Sequence, residues 1–279
     1  MTARKTLALA LGSAAAVSVT ISACSGGTPS VAEKPTGVSA NTSVKPGGKG
    51  GSGTTAKNKG GAALKGKVVV LDPGHNAKVR GGQVFMGNGY KACDTSGTAT
   101  NAGYEEHEFT WDVAVRMRKI LKARGAKVVL TRADDKSAGP CVDERAAIGN
   151  RARANAVISI HADGHEDPAG HGFHVIEPKL VKGHNDAIVV PSRKLGTIVR
   201  ETFRKETGTP FANYLGGGTG TTVRDDLGGL NLSTVPKIFV ETGNMRNAGD
   251  AARLSSAKFR QRIALALSDG LTTFLTSNK

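Results

Sequence analysis

Three short, largely apolar runs, each leading to a histidine or a glutamate, constrain the fold of this chain most strongly. Short apolar runs bounded by turn residues are typical of buried strands. If the three strands are neighbours in a parallel sheet, the residues after them meet at the edge where open α/β sheets bind their ligands. The runs are 68–71, which leads through Asp72, Pro73 and Gly74 to His75, 156–160 before His161, and 237–240 before Glu241.

The segments between these runs carry helical patterns. Phe109, Val113 and Met117 recur at helical spacing, and Gly125 is placed to end that helix. Strands that alternate with helices predict a single α/β domain, with a mostly parallel sheet covered by helices on both faces. Further helices are predicted over 142–154, 191–208 and 259–274, further strands over 127–131 and 173–176, and long glycine-rich loops over 76–104 and 209–234.

The first residues are predicted to be a targeting signal. Arg4 and Lys5 precede an apolar core and a small-residue cleavage site, so residues 1–23 are interpreted as a signal peptide. The Ile-Ser-Ala sequence before Cys24 resembles the bacterial lipobox, which implies that Cys24 is lipidated. A plain secretory signal and an uncleaved membrane anchor are the alternatives, although the apolar core is shorter than the ~20 residues that a membrane span requires.

Residues 24–64 are predicted to be a flexible tether, because Gly, Ser, Thr, Lys and Pro dominate and almost no large apolar side chain can be buried. The folded part would then be 65–279, which is long enough for one domain with a substantial core. The formal net charge is +15. In an exported protein this charge favours anionic cell-envelope polymers or a membrane surface over nucleic acid, although a solubilising role explains it equally well.

Cys93 and Cys141 are predicted to form a disulfide. With Cys24 assigned to lipidation, they are the remaining cysteines of a chain exported to an oxidising compartment. A thiolate metal site is the alternative, but the two residues lack the close spacing that such sites usually show.

Two imidazoles and a carboxylate at one sheet edge suggest a metal site. A catalytic zinc site takes three protein ligands and leaves one position open for water, so His75 and His161 need a third partner. The candidates are Glu105, Glu106, Glu108 and Glu241.

Several motifs occur together in one order along 68–274. They are Leu71-Asp72-Pro73-Gly74-His75, the segment of Glu106 with its apolar helix, Thr131-Arg132 with Arg145, Ser159-Ile160-His161-Ala162-Asp163, and Val240-Glu241-Thr242-Gly243-Asn244. This order resembles the zinc-dependent N-acetylmuramoyl-L-alanine amidases of the AmiC-like type. The segments around Cys93 and Cys141 resemble an actinobacterial subgroup of that family.

The resemblance implies that His75, Glu106 and His161 bind Zn²⁺ and that Glu241 is the catalytic glutamate. It also implies a mixed, six-stranded sheet with flanking helices. The substrate would be peptidoglycan, cut at the amide bond between N-acetylmuramic acid and L-alanine. The protein would act as a lipid-anchored monomer outside the cytoplasmic membrane, facing the cell wall, without a nucleic-acid partner.

Two other functions remain open from the sequence. A zinc peptidase of related architecture would cut within the stem peptide. A catalytically silent wall-binding protein would keep the fold but lose a ligand or the base, and the presence of all four positions argues against it.

Other polar residues are interpreted more simply. Arg132 and Arg145 are interpreted as ion-pair partners within the fold. Solvated or structural roles are assigned to His107, His165, His171, His174 and His184. The candidates for holding sugar or peptide, which turn chemistry explains equally well, are Tyr104, Arg224, Asp225, Asp226 and Asn231.

Overall fold

The computed structural model describes residues 62–277. The predicted signal peptide, Cys24 and nearly all of the predicted tether lie outside the described residues and stay predictions. No helix within 62–277 is long and apolar enough to cross a membrane.

A mixed sheet forms the centre of the domain, as predicted. The strands are β1 (Val68–Pro73), β2 (Gln83–Phe85), β3 (Tyr90–Ala92), β4 (Lys127–Leu130), β5 (Ala156–Asp163), β6 (His174–Pro178), β7 (Thr221–Arg224) and β8 (Lys237–Asn244). Six of them form one sheet in the order β4-β1-β5-β8-β6-β7. Its neighbouring strands are parallel except for β6 and β8, which are antiparallel.

Helices cover both faces of this sheet, which confirms the predicted α/β layers. The helices are α1 (Glu106–Ala123), α2 (Val142–Arg151), α3 (Val189–Thr207), α4 (Gly228–Asn231), α5 (Ala248–Ser255) and α6 (Ala257–Thr276). On one face, α1, α3 and α6 bury their apolar sides in the main core, with Phe109, Leu195 and Leu267 fully buried. On the other face, Ile148 of α2 and Leu230 of α4 pack against smaller apolar clusters of the sheet.

The two segments predicted as loops contain secondary structure, so that prediction was wrong in part. β2 and β3 form a hairpin inside 76–104, and β7 and α4 lie inside 209–234. The buried Asn231 fastens these two segments together, because its side-chain amide donates to the carbonyl oxygens of Met86 and Asp225 at 3.0 and 2.7 Å. Very short elements give too little periodicity to be recognised from the sequence.

The boundaries of the elements that carry the site also differ from prediction. α1 begins at Glu106 rather than near Phe109, so Glu106 lies in its first turn. β5 and β8 continue past His161 and Glu241, with an irregular register between the two strands. These two side chains therefore project from strands rather than from turns.

The folded part begins slightly before residue 65. Leu64, which the sequence assigns to the tether, is fully buried in the main core, and its N–H donates to the carbonyl oxygen of Arg124 at 2.9 Å. A single leucine among Gly, Ala and Lys gives no periodic pattern from which its burial could be predicted.

The predicted disulfide between Cys93 and Cys141 is present. It ties the segment after β3 to the residue that precedes α2. A cross-link over a sequence separation of 48 residues lowers the entropy of the unfolded chain and contributes about 4 kcal/mol to stability. The bridge also anchors the helix that carries Arg145.

Candidate metal centre and active site

Three adjacent strands bring the predicted site residues together. β1 pairs with β5, and β5 pairs with β8. The register places Glu241 beside His161, and the ring centroids of His75 and His161 are 5.0 Å apart. The convergence predicted from the three apolar runs is therefore present in the structure.

The turn after β1 presents His75 in an unusual backbone conformation. Its φ of 59° lies in the left-handed region, which residues other than glycine rarely adopt. Gly74 is required here, because a Cβ atom would overlap the ring of His161. Backbone outliers of this kind cost about 1 to 3 kcal/mol and cluster at functional sites.

Arg132 and Arg145 hold this turn and form ion pairs within the fold, as predicted. Arg132 pairs with Asp135 at 2.6 Å, and Arg145 pairs with Asp72 at 2.8 Å. Both guanidinium groups also donate to the carbonyl oxygen of Pro73, at 3.2 and 2.7 Å. The turn is thus fixed by two buried cations.

Glu106 reaches the site from the first turn of α1 and is buried. Its Oε1 lies 3.0 Å from His161 Nδ1 and accepts a hydrogen bond from the N–H of Ala162 at 3.1 Å. Its Oε2 lies 3.2 Å from His75 Nε2 and accepts a hydrogen bond from the N–H of Thr98 at 3.0 Å. Both oxygens are therefore held in place between the two histidines.

The neighbouring glutamates point elsewhere. Glu105 and Glu108 are exposed, whereas Glu106 is buried. Successive side chains on a helix leave in different directions, so the start of α1 decides which carboxylate enters the site.

Together, His75, Glu106 and His161 form a group that could hold a metal ion. Each offers one ligand atom, and the three atoms lie within 4.8 Å of one another. Tetrahedral zinc with ligand bonds of about 2.0 to 2.2 Å separates its donors by about 3.4 Å. The contacts of Glu106 with His161 and His75, at 3.0 and 3.2 Å, are close to that separation. Two imidazoles and a carboxylate are also a donor set of catalytic zinc sites, so the residues fit such an ion.

The second nitrogen of each imidazole also has a partner. His75 Nδ1 donates to the carbonyl oxygen of Thr95 at 2.9 Å, which turns Nε2 toward Glu106. His161 Nε2 lies 3.2 Å from Ser159 Oγ. Outer partners of this kind usually fix the orientation of metal-binding histidines.

Burial and charge shift the pKa values of these groups. Burial alone would raise the pKa of Glu106, but His75 and His161 hold the pKa of this carboxyl far below its usual range. Burial alone would lower the pKa of His75, but the Glu106 carboxylate raises it above its usual value. Burial lowers the pKa of His161 and favours its neutral form. Glu106 is therefore ionised at neutral pH, as a carboxylate ligand must be.

Beside this group lies Glu241, on β8, opposite His161 of β5 and His174 of β6. Its Oε2 is buried and has no hydrogen-bond partner among the described residues. Burial raises the pKa of Glu241 well above its usual value, and the charges of Glu106 and Asp163 raise it further. A carboxylate with a raised pKa and a free oxygen is suited to accept a proton.

Sequence reasoning missed the position of His174. This residue is buried, as a structural histidine would be, but it also lies opposite Glu241 in the β6–β8 pair. Burial lowers the pKa of His174 to about 4, so its imidazole is neutral at physiological pH. The adjacency arises from an antiparallel pairing that residue spacing along the chain does not reveal.

The polar loop residues make contacts within the fold. Arg224 and Asp226 form an ion pair at 2.6 Å, and Asp225 pairs with Lys179 at 2.9 Å. Tyr104 is partly buried against the main core. These contacts are what turn chemistry and packing predict for these residues.

A cavity of about 110 Å³ lies beside the two imidazoles. Apolar side chains of Val142, Leu227 and Phe239 contribute to its lining, together with His75 and His161. The Phe239 ring stacks on the His161 ring with 5.0 Å between centroids. The cavity can therefore accept a small apolar group next to the ligand atoms.

Comparisons with known proteins identify the family of this chain. Residues 69–273 match the family described as N-acetylmuramoyl-L-alanine amidase, Amidase_3. The chain is similar to the N-acetylmuramoyl-L-alanine amidase Rv3717 of Mycobacterium tuberculosis, at 46% identity over 224 residues that cover 77% of this chain and 89% of that protein.

Two solved structures are also similar to this chain. The N-acetylmuramyl-L-alanine amidase Ami1 of Mycobacterium smegmatis matches with a TM-score of 0.72 and 43% identity, over 77% of this chain and 99% of that chain. Ami1 of Mycobacterium abscessus, in its apo form, matches with a TM-score of 0.71 and 41% identity, over 76% of this chain and 100% of that chain.

Proposed function

Because this chain belongs to the Amidase_3 family and is an N-acetylmuramoyl-L-alanine amidase that hydrolyses peptidoglycan, we propose that His75, Glu106 and His161 hold zinc. Glu241 is the general base of the reaction. The observation that carries this proposal is the approach of the three ligand atoms to within 4.8 Å of one another. Glu241 also supports the proposal. It is partly buried on the neighbouring strand, and its Oε2 has no hydrogen-bond partner among the described residues.

The proposed roles follow from the chemistry of an amide. Zinc, when bound, supplies a Lewis acid that acidifies water and polarises the carbonyl group. Glu241 accepts a proton from water as the water oxygen adds to the carbonyl carbon. The same carboxyl group passes this proton to the L-alanine nitrogen as the C–N bond breaks. The products are a lactyl carboxyl group on the glycan and a free amine on the stem peptide.

The small cavity beside the imidazoles is compatible with this bond. A methyl group flanks the amide on each side, one from the lactyl ether of N-acetylmuramic acid and one from L-alanine. An apolar space of about 110 Å³ accommodates a group of that size.

The zinc-loaded full chain is expected to release an intact stem peptide with a free L-alanine amine from a soluble muropeptide. Mass spectrometry identifies the products. A chelated sample should lose this activity, and added zinc should restore it, because both water and carbonyl need the Lewis acid. Cleavage inside the peptide would show a zinc peptidase instead. Bound zinc without any cleavage would favour a wall-binding role.

We also propose that the protein works on the outer side of the cytoplasmic membrane, facing the cell wall. A lipid on Cys24, left after removal of residues 1–23, would anchor it there as a monomer. The lipobox-like sequence before Cys24 and the location of the substrate in the wall support this proposal. The tether would allow the domain to reach nearby wall while it remains attached to the cell.

Cells that produce the full chain are expected to incorporate a fatty-acid probe into it, and the Cys24→Ala variant is expected to lose the label. The reason is that Cys24 supplies the acceptor thiol. Gel fluorescence of the purified protein measures the label, with a Cys93→Ser/Cys141→Ser variant as a control that keeps Cys24. A Cys24→Ala protein that labels as strongly as wild type would exclude the proposed anchor.

A further inference from the structure

A cluster of exposed basic residues lies at the edge of the sheet opposite the candidate metal centre. At this edge, the N–H of Lys127 at the start of β4 donates to the carbonyl oxygen of Lys67 at 2.9 Å, just before β1. The N–H of Asn155, just before β5, donates to the carbonyl oxygen of Val68 at 2.8 Å. The N-terminal ends of three neighbouring strands therefore lie side by side, at the far end of the strands from the site.

The cations at this edge have no local counter-charge. α1 and α2 both end here, because each returns the chain to the start of a strand that is parallel to β1. The cations come from the ends of these helices and from the starts of β1 and β4, and all of them are exposed. None forms an ion pair with another residue of 62–277. We call this cluster the basic edge, and its members are Lys65, Lys122, Lys127, Arg151 and Arg153.

The catalytic edge has a different distribution of charge. Exposed carboxylates and exposed cations are mixed there, among them Glu105, Glu108, Glu166, Lys136 and Arg246. Charges of opposite sign offset one another at that end of the domain. The uncompensated cations of the basic edge make the opposite end attractive to an anionic surface.

Two large apolar side chains are exposed at the same edge. β6 is antiparallel to β8 and therefore ends there. Leu180, which follows β6, is 54% exposed, and Val190 in the first turn of α3 is 74% exposed. The N–H of Lys237 at the start of β8 donates to the hydroxyl oxygen of Ser192 at 3.0 Å, which places the start of α3 at this edge as well. Apolar side chains beside cations are typical of surfaces that lie in a membrane interface.

The described part of the chain also begins at the basic edge. Leu64 is buried in the main core, and its N–H donates to the carbonyl oxygen of Arg124, directly after α1. The residues before 62 therefore join the domain on this side, away from the catalytic edge. An anchor on Cys24 would hold the domain from the same side.

We propose that the basic edge binds the anionic headgroups of the cytoplasmic membrane and turns the catalytic edge toward the cell wall. The inference rests on the proposed location outside that membrane and adds a second attachment to the proposed anchor. Lys and Arg are attracted to an anionic lipid surface only within about one Debye length, which is about 10 Å at 0.1 M salt. Only the cations on the edge that faces the membrane therefore contribute.

An anionic wall polymer is the alternative partner for these cations. Such a polymer would not account for Leu180 and Val190, which lie exposed at the same edge. It would also not account for the entry of the chain on this side. A lipid surface explains the cations, the apolar side chains and the chain entry together.

The test uses the chain without residues 1–23 and with Cys24→Ala, so that neither a signal peptide nor a lipid contributes to binding. The basic-edge variant of this reference chain carries Lys122→Gln, Lys127→Gln, Arg151→Gln and Arg153→Gln. The matched control has the same net charge, because four exposed cations nearer the catalytic edge are replaced instead. Its changes are Lys136→Gln, Lys205→Gln, Lys258→Gln and Arg262→Gln.

A third variant, Leu180→Ser/Val190→Ser, removes the apolar side chains. The lysines of 24–64 are the same in all four proteins, so differences in binding report on the folded domain. Cosedimentation with phosphatidylcholine vesicles, with and without phosphatidylglycerol, measures binding. Thermal unfolding and turnover of a soluble muropeptide show that each variant is folded and intact.

We expect the reference chain to bind vesicles that contain phosphatidylglycerol and not those of phosphatidylcholine alone. The basic-edge variant should bind about 100-fold more weakly, because each Lys or Arg near an anionic surface strengthens binding about fivefold. The matched control should stay within about threefold of the reference chain, since its changes lie beyond a Debye length from the membrane. Leu180→Ser/Val190→Ser should bind several-fold more weakly. Turnover of the soluble muropeptide should be the same in all four proteins.

Three results would overturn the inference. One is equal loss of binding in the basic-edge variant and the matched control, which would show that net charge alone matters. Another is a folded reference chain that does not bind the anionic vesicles. A third is binding to an isolated anionic wall polymer that needs the basic edge more strongly than vesicle binding does. If none of the four proteins cleaves the muropeptide, the proposed function fails, and the vesicle measurements still decide the role of the basic edge.

Discussion

Glu241→Gln is expected to lower the turnover of a soluble muropeptide by about 10²- to 10⁴-fold, which is the usual contribution of a general base. Glutamine keeps the size of the side chain but cannot take a proton from water. Zinc should remain bound, because His75, Glu106 and His161 are untouched. The measurements are kcat for release of the stem peptide and the zinc content of the purified variant.

Glu166→Gln is the matched control for this change. It makes the same chemical replacement at an exposed residue after β5, so it should retain wild-type kcat and zinc. Turnover near wild type in Glu241→Gln would remove the base assignment. Loss of zinc from that variant would place Glu241 in the ligand set, which was one of the alternatives that the sequence left open.

The edge of the sheet could be predicted because it depends on local patterns. β1, β5 and β8 are buried, and strands of that kind appear in a sequence as nearly continuous apolar runs. The alternation of strands with helices predicts parallel neighbours whose ends meet at one edge. Residues that lie at the ends of such runs can therefore be grouped from the amino-acid sequence alone.

The small elements over the glycine-rich segments could not be predicted in this way. β7 exists through its pairing with β6, and β2 through its pairing with β3. The buried Asn231 then joins the hairpin to the second segment. The sequence does not reveal this contact, because Met86, whose carbonyl oxygen accepts the hydrogen bond, is distant along the chain. Without it, Asn231 is equally compatible with a turn or with substrate binding.

Lys237 shows a second limit of the sequence pattern. A lysine at the start of an apolar strand is normally expected to reach solvent. Here it is fully buried and pairs with Asp72, far away in the sequence. Long-range ion pairs of this kind carry no periodic signal. The spacing of residues along the chain therefore does not reveal that Lys237 pairs with Asp72.

Glu106→Gln is expected to weaken zinc binding by more than about 100-fold, which exceeds the loss caused by removing a group that only hydrogen-bonds to a metal ligand. It should also reduce amidase activity to background. The charge of Glu106 holds both imidazoles, and its oxygens accept the N–H groups of Thr98 and Ala162. A glutamine amide is neutral and offers only one acceptor oxygen for these two donors. Zinc titration against a chelator and release of stem peptide are the measurements.

Glu105→Gln and Glu108→Gln are the matched controls, because they make the same replacement at exposed neighbours on the same segment. Both should bind zinc and turn over as wild type does. The metal-free Glu106→Gln protein should also show a lower pKa for His75, since the carboxylate that raises it is gone. If Glu105→Gln lost zinc while Glu106→Gln kept it, the helix would begin in a different register, and the proposed ligand set would be wrong.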